Sequence, residues 1–334
     1  MKSGNRLSFY QAGFTLVEIM VGLVIGMLAT VVIMQVFTVF ETQKRTTTGT
    51  ADAQTNGSIA LYHIGREMQM AGYPLIPATD SPLECTTLTF GTTGITGISP
   101  VTITDGTSDT ITIRYGNSLS GGIPTSIGAL SGNDATVGSN FGCQAGDITL
   151  ITNGTTCAMS SASAVAGTTT VTLADTTAAI AGASLACLGT WSEISYAVTN
   201  GELTRNGIPT VAGVVNLQAQ YGISNTAASN QVTAWVNATA PTWAAPSVAD
   251  RNRIKAVRIA VVARNAKMES DVVTAACSST TASPTTGLCA WTGSVASPAP
   301  AINLSADANW QRYRYRVFET IIPLRNMIWS KDTL

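Results

Sequence analysis

The longest hydrophobic run in the chain reads QAGFTLVEIMVGLVIGMLATVVIMQVF, Gln11 to Phe37. From Phe14 to Phe40 the only charged residue is Glu18. As an α-helix this stretch rises about 40 Å at ~1.5 Å per residue, enough to cross a hydrocarbon core ~30 Å thick. Further along, Leu61, Ile64 and Met68 recur at helical spacing, which predicts one face packed on a globular head. No proline occurs between Phe14 and Pro74, so a kink would need another source. The stretch TTTGTADAQTNG, Thr46 to Gly57, is rich in poor helix formers, and the helix there is expected to be continuous or locally loosened. It should stop near Ala71-Gly72-Tyr73-Pro74, where glycine suits the cap and proline blocks continuation.

Beyond Pro74 the period changes to two. PVTITDGTSDTITIRY, Pro100 to Tyr115, alternates on both sides of Asp-Gly and predicts a hairpin. WSEISYAVTNGELTRNG, Trp191 to Gly207, predicts a second hairpin around Asn200-Gly201. GDITLITNG, TTTVTLAD, VAGVVNLQAQYGIS, QVTAWVN and IKAVRIAVVAR read as strands, and YRYRVFETIIPLRN, Tyr313 to Asn326, closes the chain. A Ser/Thr/Ala/Pro-rich insertion at about 275–308 reads as a long surface loop. The pattern gives an α+β class: a long N-terminal helix followed by a large antiparallel β-rich head.

Composition narrows the setting. Of 334 residues only 11% are charged, against about 25% in a typical soluble domain. The net charge is −1, so no global field points to nucleic acid or anionic lipid. Six cysteines, Cys85, Cys143, Cys157, Cys187, Cys277 and Cys289, all follow the apolar run, which suggests disulfides in an oxidising compartment. None forms a C-x-x-C pair, against a zinc ribbon or thioredoxin-like redox site.

Glu18 is the anomaly. The preceding segment carries Lys2 and Arg6 and no acid, so the run should sit with its N-terminus cytoplasmic. A cleaved secretory signal wants a shorter apolar core, and neither it nor a plain anchor has a use for Glu18. Gly13-Phe14-Thr15-Leu16-Val17-Glu18, after a basic leader and before a long apolar run, resembles the prepilin motif of type IV pilins and type II secretion pseudopilins. The resemblance implies that prepilin peptidase cuts between Gly13 and Phe14 and methylates the new amino terminus, making Phe14 N-methylphenylalanine. It also implies a role for Glu18. A carboxylate in an apolar filament core needs a cation, and the Phe14 amine of a neighbouring subunit would supply one and set register. Gly22 and Gly26 form a G-x-x-x-G pattern that would let another helix approach closely.

The head extends the resemblance. NGSIALYHIGREMQMAGY, SDTITIRYG, GDITLITNGTTC, ISYAVTNGELTRNG, VAGVVNLQAQYGIS, RIKAVRIAVVARN and RYRVFETIIPLRN resemble PilW-type minor pilins in content and order. The nearest relatives by resemblance are the J-type minor pseudopilins. The implied organisation is a cleaved leader at 1–13, a helix at 14–72 with an apolar half (14–40) and an amphipathic half (41–72), and a β-rich head at 73–334. The implied protein is a non-enzymatic subunit of a complex that primes pilus assembly and caps the tip, serving adhesion, twitching motility or DNA uptake. Its implied partners are other minor pilins, the major pilin, prepilin peptidase and a large tip adhesin. It would be held in the inner membrane with the head periplasmic, then move to the pilus. A type II secretion pseudopilin and a membrane-anchored surface-binding protein are the alternatives.

Candidate chemistry is sparse. His63, the only histidine, lies in the expected helix, and any Ser-His-Asp or Cys-His site would depend on it. No P-loop, dinucleotide fingerprint or G-x-S-x-G elbow occurs, and no cofactor or metal is expected. Asp105, Asp109 and Asp134 fit turn chemistry better than calcium. Arg312, Arg314 and Arg316 alternate with Tyr313 and Tyr315, and Arg251, Arg253 and Lys255 also alternate. Both read as solvated strand faces rather than a nucleic-acid site. Six cysteines allow 15 pairings. Cys277–Cys289 is the first expectation because the two bracket one loop, with Cys143–Cys157 and Cys85–Cys187 for the rest.

Overall fold

The computed structural model describes residues 13–75, 85, 87–91, 93–153, 156–277, 287–291, 297, 299 and 302–328. A single helix, α1 (Leu16–Met68), runs unbroken through 53 residues. The threonine-rich stretch is therefore continuous helix. Its hydroxyls do not compete with the backbone: Thr47 Oγ1 donates to Gln43 O at 2.9 Å and Ser58 Oγ to Gln54 O at 2.9 Å. The chain divides into two compact units between Gly49 and Thr50. Within the second unit α1 buries Ala53, Gly57, Ala60, Ile64 and Met68, a stripe spaced three or four residues apart. The helix ends at Met68, and turns carry the chain to Gly72, which takes φ +80° and donates its N–H to Arg114 O at 2.9 Å. That left-handed conformation is where glycine is least strained.

The strands follow in chain order. The first group is β1 (Thr87–Thr89), β2 (Val101–Thr104), β3 (Thr110–Tyr115), β4 (Thr125–Ser131), β5 (Asp134–Val137), β6 (Ile148–Thr152), β7 (Thr156–Ala166) and β8 (Thr170–Leu173). The second is β9 (Ser184–Gly189), β10 (Ser192–Thr199), β11 (Glu202–Arg205), β12 (Ile208–Ala212), β13 (Val214–Ile223), β14 (Ala234–Val236), β15 (Ile254–Arg264) and β16 (Tyr315–Pro323). Short helices α2 (Val248–Arg251) and α3 (Arg325–Ile328) and a 3-10 turn at Trp310–Arg312 complete the described elements.

Three sheets result. One has the order β14-β13-β15-β16 and another β12-β11-β10-β3-β2. With the buried stripe of α1 they enclose the main core, including Ile111, Ile113, Tyr196, Leu217, Tyr221, Val257 and Ile259. The third sheet, β1-β7-β6-β9-β4-β5-β8, closes on itself because β7 also pairs with β8. Inside it lie Ile127, Val137, Ile151, Val171, Leu173 and Leu185. Pairing is antiparallel except for β1, which runs parallel to β7.

The hairpin around Asn200-Gly201 is tight. Thr199 pairs with Glu202, and both turn residues have positive φ, +53° and +77°, as a two-residue turn matched to strand twist requires. The Pro100–Tyr115 hairpin differs from expectation. Its strands pair, but a five-residue loop, Asp105 to Asp109, replaces a two-residue Asp-Gly turn. The cause is Asp109, which is drawn inward to β13.

The segment expected as a surface loop at 275–308 also differs. Its described residues Cys277, Ala290, Ala299, Ile302 and Leu304 are buried, several against Ala260 and Val262 on the outer face of β15. This explains why every residue of β15 from Ile254 to Ala263 is buried: the strand is covered on both faces. Arg258 of β15 pins this cover. Its guanidinium lies 5.1 Å from the Trp235 ring and 4.7 Å from the Trp291 ring, and its Nε donates to Gln220 Oε1 at 2.6 Å. Burial pushes its pKa down to about 10.

The cysteine pairing corrects two expectations. Cys277 and Cys289 are joined, but the other bridges are Cys85–Cys157 and Cys143–Cys187, not Cys143–Cys157 and Cys85–Cys187. The reason is the pleat. Cys157 on β7 faces a cluster with Cys85, Leu150 and Met159, whereas Cys187 on β9 faces the interior of the closed sheet, where Cys143 lies. Cys143 and Cys157 are on opposite faces, and neighbours in sequence cannot bridge through a sheet.

Candidate assembly interface

The prepilin-like residues build the start of α1. Thr15 precedes the helix, and both its Oγ1 (3.3 Å) and its carbonyl (3.1 Å) accept the N–H of Glu18. The Ile19 N–H also reaches Thr15 O, at 3.2 Å. Thr15 thus satisfies donors that every helix N-terminus leaves open, and Glu18 places a negative charge in the first turn, where the helix dipole favours it. The role of Thr15 was missed in reading the sequence, although T-x-x-E before an apolar run is the pattern that announces such a cap. Gly13 and Phe14 lie outside the helix, and Phe14 is 80% exposed. The basic leader residues Lys2 and Arg6 lie outside the described residues.

From Ile19 to Phe40 no charge interrupts the helix, and the large apolar side chains are exposed around its whole circumference. Within it, Thr30 and Thr38 donate their hydroxyls to Met27 O and Gln35 O, both at 2.8 Å. Those bonds remove the polar groups that lipid or an apolar neighbour would otherwise have to solvate. Gly22 and Gly26 are one turn apart on one face, and a Cβ at either would meet nothing within 4 Å. The helix is long and apolar enough to cross a membrane. Charge returns with Glu41 and Arg45, paired at 2.8 Å.

Sequence-expected chemistry elsewhere does not assemble. The His63 ring is exposed and stands edge-on to Tyr62, and all six cysteines are in disulfides. Among the described residues no group of three His, Cys, Asp or Glu side chains could hold a metal. The two basic runs are dispersed. Arg312 donates to Glu269 O and Ser270 O, and Arg314 lies 3.3 Å from Glu269. Arg251 closes α2 and Arg253 pairs with Asp250 at 3.0 Å. Lys255 is buried and donates to Ala227 O at 2.7 Å. The reading of Arg251, Arg253 and Lys255 as one solvated strand face is therefore corrected: β15 begins at Ile254, and its covered faces leave no solvated side there.

Two family patterns match the chain. Residues 8–34 match the prokaryotic N-terminal methylation motif, and residues 187–326 match the family described as type IV pilus-assembly protein W. The chain is a PilW-type minor pilin. No curated protein and no solved structure matches it. The PilW match begins in β9 and runs through β10 to β16, so it covers most of the two sheets that pack on α1. Of the closed sheet, β1 and β4 to β8 lie outside it. This minor pilin is anchored by its apolar N-terminal helix and associates with the type IV pilus machinery.

Proposed function

We propose that this minor pilin belongs to the complex that primes type IV pilus assembly and remains at the pilus tip. The observation that carries the reading is the union, in one chain, of the methylation motif at 8–34 with a head matching pilus-assembly protein W. In this reading prepilin peptidase cuts between Gly13 and Phe14 and N-methylates Phe14. Residues 1–13 are the leader, 14–72 the helix and 73–334 the head. The basic leader is cytoplasmic, the head is periplasmic, and extraction from the inner membrane moves the apolar half of α1 into the filament core.

Glu18 then answers the Phe14 amine of a neighbouring subunit. An unpaired charge in that core would be costly, so the pair selects one axial register. Gly22 and Gly26 supply the open face on which a neighbouring helix packs. Partners are the major pilin, other minor pilins and a large non-pilin adhesin above them, and the output is adhesion, twitching motility or DNA uptake.

The test is deletion of the gene in a retraction-deficient strain, with pili counted by electron microscopy. Loss of most pili is expected; normal pilus numbers would overturn the priming role. Mass spectrometry of the mature protein should find N-methyl-Phe14 as its first residue. Glu18→Gln should leave that cut intact while lowering incorporation beside other minor pilins. Unchanged incorporation would sink the ion-pair account.

A further inference from the structure

β16 is an edge strand, and its outer edge is open. The register shows which groups face outward. Leu324 N donates to Lys255 O and Asn265 N to Arg314 O, both at 2.9 Å, at the two ends of the β15–β16 ladder. Stepping inward by two, the hydrogen-bonded pairs are Ile322/Val257, Thr320/Ile259 and Phe318/Val261. The alternate residues Val317, Glu319 and Ile321 therefore turn their N–H and C=O away from β15. Among the described residues no hydrogen bond reaches those outward backbone groups. Pro323, which has no N–H, ends the open edge.

Beside that edge runs a groove of about 580 Å³ between β16 and the second half of α1. Its wall is apolar and aromatic: Leu61, Tyr62, Phe318 and Ile322. Two cations, Arg66 and Arg325, also line it. Both are exposed, and neither pairs with an acid among the described residues. No carboxylate lines the groove. Ile321 at the open edge is 54% exposed. An uncovered edge strand is a template for another strand unless it is blocked by charge, bulge or cover. The one charge among the three outward residues, Glu319, turns its carboxylate to the face opposite Phe318 and Ile322, where Trp291 N donates to it at 3.1 Å. Here the backbone edge, an apolar wall and two unmatched cations lie together, which suits main-chain recognition with side-chain selection.

We propose that β16 accepts an extended, acidic segment of a partner protein as a fifth strand of its sheet, seated in the groove against α1. The main-chain groups of Val317, Glu319 and Ile321 hold the incoming backbone. Its apolar residues contact Phe318 and Tyr62, and its acids meet Arg66 and Arg325. Occupancy of this groove is independent of filament formation by α1, so an empty groove would leave the pilus reading untouched.

The test uses the full chain in detergent and the synthetic peptides TVEVEVT and TVKVKVT, with hydrogen exchange followed at individual amides. The acidic peptide should slow exchange at Val317, Glu319 and Ile321 at least ten-fold, and the lysine peptide should not. Ile321→Pro should abolish the protection with little change in Tm. The Arg66→Glu, Arg325→Glu double variant, which leaves the strand backbone intact, should reverse the preference between peptides. Three results would overturn the proposal. One is equal protection by both peptides. Another is full protection without peptide, meaning the edge is already covered. The third is protection that rises with protein concentration alone, meaning a second copy fills the groove.

Discussion

Glu67 of α1 joins the helix to the five-stranded sheet by accepting from two strands at once: Arg205 Nη2 of β11 at 2.8 Å and Tyr115 Oη of β3 at 2.5 Å. One turn earlier, Tyr196 OH of β10 donates to His63 O at 3.4 Å. The carboxylate is the better shielded partner, with 17% side-chain exposure against 38% for Arg205. Burial, then the Glu67 carboxylate, pushes the Tyr115 pKa up to about 12. Removing Glu67 leaves both donors without their acceptor. Glu67→Ala should destabilise the head by about 2 kcal/mol, and Arg205→Ala by about 1 kcal/mol because solvent screens that partner. Denaturant unfolding of the full chain in detergent would measure both. Equal, near-zero losses would mean the helix is held by its apolar stripe alone.

Asp109 should make stability depend on pH in an unusual direction. It is buried, accepts the N–H of Ala219 (2.7 Å) and Gly106 (3.1 Å), and its own N–H donates to Leu217 O at 2.7 Å. Burial raises its pKa from 3.8 to about 7, against the opposing pull of the two backbone N–H groups. Between those values the folded state binds the proton and the unfolded state does not. Stability from this group is therefore present at low pH and lost as pH rises from about 4 through 7, by roughly 2 kcal/mol between pH 5 and 7. Asp109→Asn cannot titrate. The difference in unfolding free energy, wild type minus variant, should fall over that range. A difference independent of pH would show that Asp109 does not change charge there.

Gly57 should resist substitution despite lying in a helix interior, where alanine normally gains about 1 kcal/mol. A Cβ there would enter the van der Waals envelope of the Phe318 ring on β16. Gly57→Ala is expected to cost about 1–3 kcal/mol as overpacking. Phe318→Leu, which removes the ring, should recover much of that loss in the double variant. Additive losses would place the strain elsewhere.

The disulfides should rank by the loops they close. The Cys85–Cys157 bridge spans 72 residues and Cys277–Cys289 spans 12. Paired Cys→Ser variants should lose about 4 kcal/mol and about 3 kcal/mol respectively on chain-entropy grounds. Peptide mapping under non-reducing conditions should recover Cys85 linked to Cys157 and Cys143 linked to Cys187. A Cys143–Cys157 peptide would contradict the strand order around β6.

What could be read before the fold was known shares one property: it depends on near neighbours. The length of α1, its stripe at Ile64 and Met68, and the two hairpins follow from side-chain period and turn residues within a few positions. So does the motif Gly13 to Glu18, where an acid is compatible with both a helix start and a long apolar run. Thr15 was legible by the same logic and was overlooked. Strands β1, β4, β5, β7, β9 and β12 were not expected, because small and polar residues there blur a period of two.

The sequence by itself therefore determined a long helix with one acid in its apolar half, a β-rich head and a prepilin-like start. Tertiary structure alone decided the rest. The partner of each cysteine depends on which face of a strand it occupies, and that face is set by the register among β6, β7 and β9. Lys255, Arg258 and Asp109 look like surface charges until the cover over β15 and the loop against β13 bury them. An open edge on β16 exists only because three other strands stack on its far side and none on the near one. Register, strand order and burial are properties of residues far apart in the chain, and no local pattern encodes them.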